Sequence, residues 1–401
     1  MENSSQLPNP LLNLHHALDA ETQPYGQIEI VTTFGQPQLE YAALHKSCGI
    51  MDLPFRGVLE LAGRDRLTFL NGLISNQTWD KNTKLPMPAG TWVYAFLLNL
   101  KGRIVADMNV VDLGDITLIE TDARLVEPLR DVFDKYQFAE QVKMRSRVGD
   151  LHEFSLLGPK SVEVLQKIFG ESGALPPGQT AARLSVDGVE TIAWRDNSTG
   201  TDGVNIIVPV EHATTIWKRL AGANDDDRSR LARPIGWAAF NACRIEAGRA
   251  LFGIDFAGVA PTSAYPDRKL REAASGEDTA PGVLPGETGG LFNRAICLSK
   301  CYIGQEIVAR MYARKQSARQ IAGFKMQDDS LPIAGAPVFD AASNQVGVVT
   351  SSTLSPVRSN AAIGFAFVKK PHFAAETELT IPAEGAMRRA NIVQLPLPDL
   401  K

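Results

Sequence analysis

The run Lys300-Cys301-Tyr302-Ile303-Gly304-Gln305-Glu306 holds a single thiol between a lysine and a glycine turn, with an amide and a carboxylate directly behind. Thiols react as thiolates, and a cysteine pKa falls beside cations and at helix N-termini. Arg310, Arg314, Lys315 and Arg319 follow, and Glu306 is the only acid between Lys300 and Arg319. Ile307, Val308 and Met311 recur at helical spacing, so Gln305 to Arg314 reads as a helix with Cys301 and Gly304 just ahead of it. Cys301, Lys300, Gln305 and Glu306 are therefore the candidate reactive group. The competing reading is a buried cysteine acting as a small hydrophobe.

Three further segments could do chemistry. Lys101 to Met108 places Asp107 in an apolar strand on the return arm of a hairpin. If that carboxylate is buried it needs a partner or a ligand. Strand alternation equally allows it a solvent face. Ser198 to Gly203 is a two-glycine turn entering a strand, which reads first as a hairpin corner. Arg244-Ile245-Glu246-Ala247-Gly248 puts Arg244 one turn from a glycine at a helix end, the usual setting of a salt-bridged terminus.

These residues must be carried by α+β elements, with strands meeting mostly through turns. Residues 1–26 read as a polar arm with a short helix at Leu11 to Leu18. A first lobe spans 27–145, with strands at Gly57 to Leu61, Val93 to Asn99 and Ile104 to Val111 and helices through Leu67 to Leu73 and Glu127 to Phe138. Residues 235–257 return to it through a helix from Ile235 to Ala247 that ends at Gly248. A second lobe spans 150–230, with strands at Glu153 to Leu157, Ile192 to Arg195 and Val204 to Val210 and helices at Ser161 to Phe169 and His212 to Leu220. Residues 258–290 are poor in bulky apolar groups and read as an exposed, mobile loop. Residues 291–319 hold the cysteine run. From 320 to 398, six short strands punctuated by Gly335, Asn344 and Asn360 read as a small antiparallel barrel or sandwich.

The chain has 401 residues, 44% hydrophobic and 21% charged, which suits an ordinary globular protein of two or three domains. A net charge of -4 offers no long-range attraction for nucleic acid or an anionic membrane. No segment reads as a secretory signal or a membrane span, so a cytoplasmic setting is expected. The four cysteines, Cys48, Cys243, Cys297 and Cys301, form no disulfide framework and should be free. Cys297 and Cys301 lack the second close ligand pair that structural zinc and most clusters require, so no permanently bound metal is expected.

From His45 to Val393 the order of segments resembles the T-protein superfamily, the folate-binding aminomethyltransferases of glycine cleavage and their relatives. The resemblance rests on Cys48 to Leu53, Leu59 to Asp65 with Phe69 to Gly72, Asn99 to Asp107, Thr199 to Gly203, Arg244 to Gly248 and Gly335 to Val349. Within it, Cys301, Tyr302, Gly304, Gln305 and Glu306 match the motif of YgfZ-type proteins, which bind folate and support assembly or repair of iron-sulfur proteins. Lys300 stands where that motif has glycine, and Asn205 stands where the transferases carry a carboxylate. The stretch between Asp255 and Leu284 is longer than the family's usual link.

The resemblance implies a two-lobed folate-binding region of antiparallel sheets with helices, followed by a small C-terminal β-barrel. It implies tetrahydrofolate or a derivative as ligand, held by Asp107, Asn205, Arg244 and Tyr302. It implies iron-sulfur client or assembly proteins as partners, met by the Cys301 thiol. The alternative it leaves open is a tetrahydrofolate-dependent aminomethyltransferase or demethylase acting on a small amine, with Asp107 acting on the folate amine. A non-catalytic scaffold of the same fold is the third.

Overall fold

The computed structural model describes residues 9–221, 231–256, 282–314 and 317–396. The chain divides into two compact units. The first comprises Met1–Leu70, Thr78–Val93 and Met108–Phe240; the second comprises Asn71–Gln77, Tyr94–Asp107 and Asn241–Lys401. The α+β class and the terminal barrel expected from the sequence are both present. The partition into successive lobes is replaced by units through which the chain passes more than once. Sheet pairing unites strands distant in sequence, which linear patterning cannot register.

A six-stranded sheet in the first unit runs in the order Ala181–Val186, Val189–Asp196, Gly203–Pro209, Leu151–Leu157, Gly49–Asp52, Arg233–Pro234. Its central strands are buried almost end to end, as strands covered on both faces are. The helices Ser161–Phe169 and Ala213–Ala221 turn Val164, Leu165, Phe169, Ile216, Trp217 and Leu220 onto Phe154, Leu156, Val204 and Ile206. The turn at 198–203 is the hairpin corner between two of these strands, with Asp196 opposite Gly203. A second, five-stranded sheet has the order Lys143–Ser146, Arg56–Ala62, Ile116–Asp122, Ile104–Asp112, Thr91–Leu98.

The first residues depart from the expected arm. Leu12–Ala17 is a helix, Glu21–Tyr25 pairs with Ile28–Thr33, and Leu11 is wholly buried in the core of the six-stranded sheet. His15 is also fully buried and binds Asp52 at 2.9 Å, while His152 holds the other carboxylate oxygen at 2.6 Å and Asn9 Nδ2 donates at 3.0 Å. Burial by itself raises the Asp52 carboxyl. His152 and His15 more than reverse this, leaving it far below the ordinary carboxylate range.

The second unit ends in a closed barrel ordered Arg319–Met326, Ala361–Lys369, Gln345–Ser355, Pro337–Phe339, Glu378–Ala383, Ala386–Val393. Phe324, Val338, Val368, Ile381 and Ile392 fill its interior. The expected mobile loop lies largely outside the described residues, at 257–281. Residues 282–290, expected as part of that loop, are ordered into a short 3-10 helix, Pro285–Glu287, with Val283 and Glu287 buried.

Candidate functional site

The helix expected behind the cysteine run spans Gln305–Arg314. Gly304 precedes it at φ +78, where a β-carbon would lie 2.5 Å from the Asn99 carbonyl oxygen and 3.0 Å from the Gly102 α-carbon. Gly102 itself is at φ +71, and a β-carbon there would sit 2.8 Å from Ile307. Two glycines from separate motifs thus let the turn of the Asp107 hairpin rest on the start of the cysteine helix. Close backbone approach fixes the spacing.

A second set of bonds ties the segment ahead of the thiol to residues 74–77. Cys297 N donates to Ser75 O at 2.9 Å, and Ser75 Oγ donates to Ala295 O at 2.7 Å. Asn76 Nδ2 bridges Tyr94 O at 2.8 Å and Arg294 O at 3.0 Å. Lys300 turns inward: its Nζ donates to Ile74 O at 2.6 Å and Asn76 O at 2.7 Å and lies 5.3 Å from the Tyr302 ring centre. Burial pulls its pKa down to about 7, against the opposing influence of Cys297 and Cys301. The lysine read as the cation beside the thiol is a buried latch, its ammonium bonded to the Ile74 and Asn76 carbonyls.

Cys301 is exposed and free, and Glu306 is exposed at the helix start. Gln305 is half-buried, with its backbone N–H donating to Tyr302 O at 3.2 Å. Tyr302 is buried beside Lys300, its hydroxyl without a partner among the described residues. Burial, with Cys297 nearby, pushes that hydroxyl well up from its ordinary value.

Asp107 is buried, 8% exposed, which decides against the solvent-face reading. Tyr94 donates its hydroxyl to Asp107 Oδ2 at 2.9 Å. The Tyr94 ring is fixed by the Arg294 guanidinium, 5.1 Å from its centre, and by Phe96 edge-on at 5.5 Å. Phe96 in turn meets Phe256 edge-on at 6.3 Å. Phe256 lines a cavity of about 540 Å³, together with Val283, Val346 and Phe367 and with Arg319 and Lys369 as its cations. Arg319 pairs with Glu287 at 3.0 Å and lies over Phe367.

Two expected ligand residues are placed differently. Arg244 is wholly buried and donates to Asp255 Oδ2 at 2.6 Å, to Arg249 O at 3.1 Å and to Asn241 Oδ1 at 3.0 Å. Asp255 is held in addition by Thr350, Ser351 and the Leu251 N–H. Arg244 is thereby tied into the second unit by a buried ion pair, as the salt-bridged-terminus reading anticipates. Asn205 belongs to the first unit, where its Oδ1 accepts the Ser155 hydroxyl at 2.7 Å. Tyr94, Ser75, Asn76 and Arg294 escape sequence reasoning. An alternating strand marks Tyr94 only as half-buried, and nothing local indicates which carboxylate it meets.

A tetrahydrofolate-type ligand offers amine and amide N–H groups. The buried carboxylate of Asp107, oriented by a tyrosine hydroxyl, has the acceptor chemistry such a ligand requires.

The family model described as the GCVT N-terminal domain matches residues 11–262, and the glycine cleavage T-protein C-terminal barrel domain matches residues 319–399. An aminomethyltransferase of Geobacillus kaustophilus is 26% identical over 396 residues, covering 96% of this chain and 97% of its own length. A probable aminomethyltransferase of Pyrococcus horikoshii is 26% identical over 383 residues, with 90% and 89% covered. The glycine cleavage system aminomethyltransferase T of Bartonella henselae, a solved structure, shares the fold at a TM-score of 0.76 with 21% identity over 97% of this chain and 98% of that one. With its N-terminal domain matched across more than half its length and its barrel matched as well, the chain belongs to the glycine cleavage T-protein family.

Proposed function

We propose that this protein binds a tetrahydrofolate cofactor beside Asp107 and transfers a one-carbon unit from a small amine. The observation that carries the reading is the Asp107–Tyr94 pair: a buried carboxylate held in one orientation by a hydroxyl at 2.9 Å, on the strand Ile104–Asp112. The reading is supported by the relatives, which are named aminomethyltransferase over nearly their whole length. The cofactor, when bound, supplies the amine that carries the one-carbon unit. Asp107 accepts an N–H from that amine and holds its proton position, and Tyr94 keeps the acceptor oxygen aimed.

The test is formation of methylene-tetrahydrofolate from an aminomethyl donor or a methylated glycine. Asp107→Asn should lower turnover by ~100-fold to ~10,000-fold, the usual worth of positioned proton transfer. Tetrahydrofolate titration by calorimetry should show binding to the wild type. Turnover equal to wild type in Asp107→Asn overturns the reading, and a silent titration leaves only a scaffold.

A second reading has one observation in its favour: the Cys301 thiol is exposed at the head of a helix, where transfer at Asp107 makes no use of it. It casts the protein as a folate-binding accessory factor of the YgfZ type for iron-sulfur proteins. Under it, Cys301→Ser binds folate normally yet fails to restore iron-sulfur enzyme activity in cells lacking the protein. Full rescue by that variant decides against it.

A further inference from the structure

The barrel strand Ala361–Lys369 sends Val368 into the barrel interior, so Phe367 and Lys369 on either side of it face outward. Antiparallel register sets Arg319 directly opposite Lys369 and Val348 directly opposite Phe367. All four line the cavity of about 540 Å³, which Phe256 and Val283 line as well. That volume is in the range of small-molecule sites, roughly 300 to 1,000 Å³.

Like charges directly opposite each other on one sheet face repel and cost stability. Glu287 answers only one of these two cations, pairing with Arg319 at 3.0 Å, while the Arg319 guanidinium covers the Phe367 ring 4.7 Å from its centre. Lys369 is exposed and has no ion-pair partner among the described residues. The carboxylate among the lining residues, Asp255, is already held by Arg244, Thr350, Ser351 and the Leu251 N–H. The cavity is thus left with one positive charge to match, beside the half-buried Phe367 ring and the apolar Val348, Phe256 and Val283. An occupant that fits must bring one negative charge and an apolar body. A carboxylate meets that count through charge-assisted hydrogen bonds, whereas a phosphate monoester carries about -1.5 to -2 at neutral pH. A flat ring packs best against the Phe367 and Phe256 side chains.

We propose that this cavity is a binding site for a small aromatic acid, its carboxylate held at Lys369 and Arg319 and its ring against Phe367 and Val348. The site is distinct from Asp107, and the inference rests on neither functional reading.

The experiment titrates benzoate, and separately benzamide, its uncharged counterpart of nearly the same shape, into the full-length protein by ligand-observed NMR. Benzoate should bind about tenfold or more tighter than benzamide, the worth of one charge-assisted hydrogen bond. Lys369→Gln should weaken benzoate by a similar factor and leave benzamide unchanged. Val348→Phe, which fills the cavity and keeps both cations, should abolish binding of both. Absence of benzoate binding, equal affinity for benzoate and benzamide, or undiminished benzoate binding to either variant overturns the proposal. Displacement of benzoate by one equivalent of tetrahydrofolate also overturns it, because the cavity would then belong to the cofactor.

Discussion

Arg244 and Asp107 are both buried charged residues, and their surroundings assign them opposite tasks. Arg244 finds a carboxylate at 2.6 Å, so its charge is matched. Asp107 is oriented by the Tyr94 hydroxyl. Arg244→Met should therefore act on stability, leaving Asp255 ionised and buried beside Thr350 and Ser351. Losing one partner of such a pair typically costs about 3 to 5 kcal/mol. A thermal melt should show a marked drop in midpoint. Weakened folate binding at an unchanged midpoint would return Arg244 to the ligand. From sequence alone, the helix-end position of Arg244 was readable and its partner was not, because Asp255 is eleven residues on and brought back by the fold.

At the scale of elements, the helix Gln305–Arg314 was legible in its apolar period and in the glycine before it. That this helix receives the hairpin turn at 99–103 was not legible, since the two lie some two hundred residues apart and meet through backbone atoms. Gly304→Ala should be destabilising on two counts, a left-handed φ and a clash with Asn99 O, together about 1 to 3 kcal/mol or more. Gly102→Ala should cost a similar amount. Because both disrupt one contact, the double variant should fall short of the sum of the two. Full additivity in denaturant titrations would show the two glycines to be independent. Lys300 illustrates the same difficulty. In sequence it is the cation next to Cys301, and its neighbours in space are carbonyls of residues 74 and 76.

For the molecule as a whole, the buried cluster of Asp52, His15 and His152 ties the first helix to the six-stranded sheet. The Asp52 carboxyl is held below its unfolded value, so its stabilisation is present above the ordinary carboxylate pKa and is lost as pH falls through the folded one. Asp52→Asn should therefore destabilise the protein at neutral pH and flatten the acid limb of its stability profile. Melting midpoints measured from pH 7 downward check both. An acid limb as steep as that of wild type would place the sensitivity elsewhere. Among the described residues, no helix is long and apolar enough to cross a membrane.

By itself the sequence determined the α+β class, most of the strands and helices, the run of short terminal strands and the T-protein superfamily, because period, turn residues and motif order are local and survive in one dimension. It also marked Asp107 and Cys301 as worth explaining. Only the tertiary structure decided which charges are closed into pairs, that Lys300 faces inward, that the first residues belong to the core and that Tyr94 aims Asp107. Each of those depends on a partner far along the chain, and the burial that makes a charge costly or useful exists only once the chain has folded.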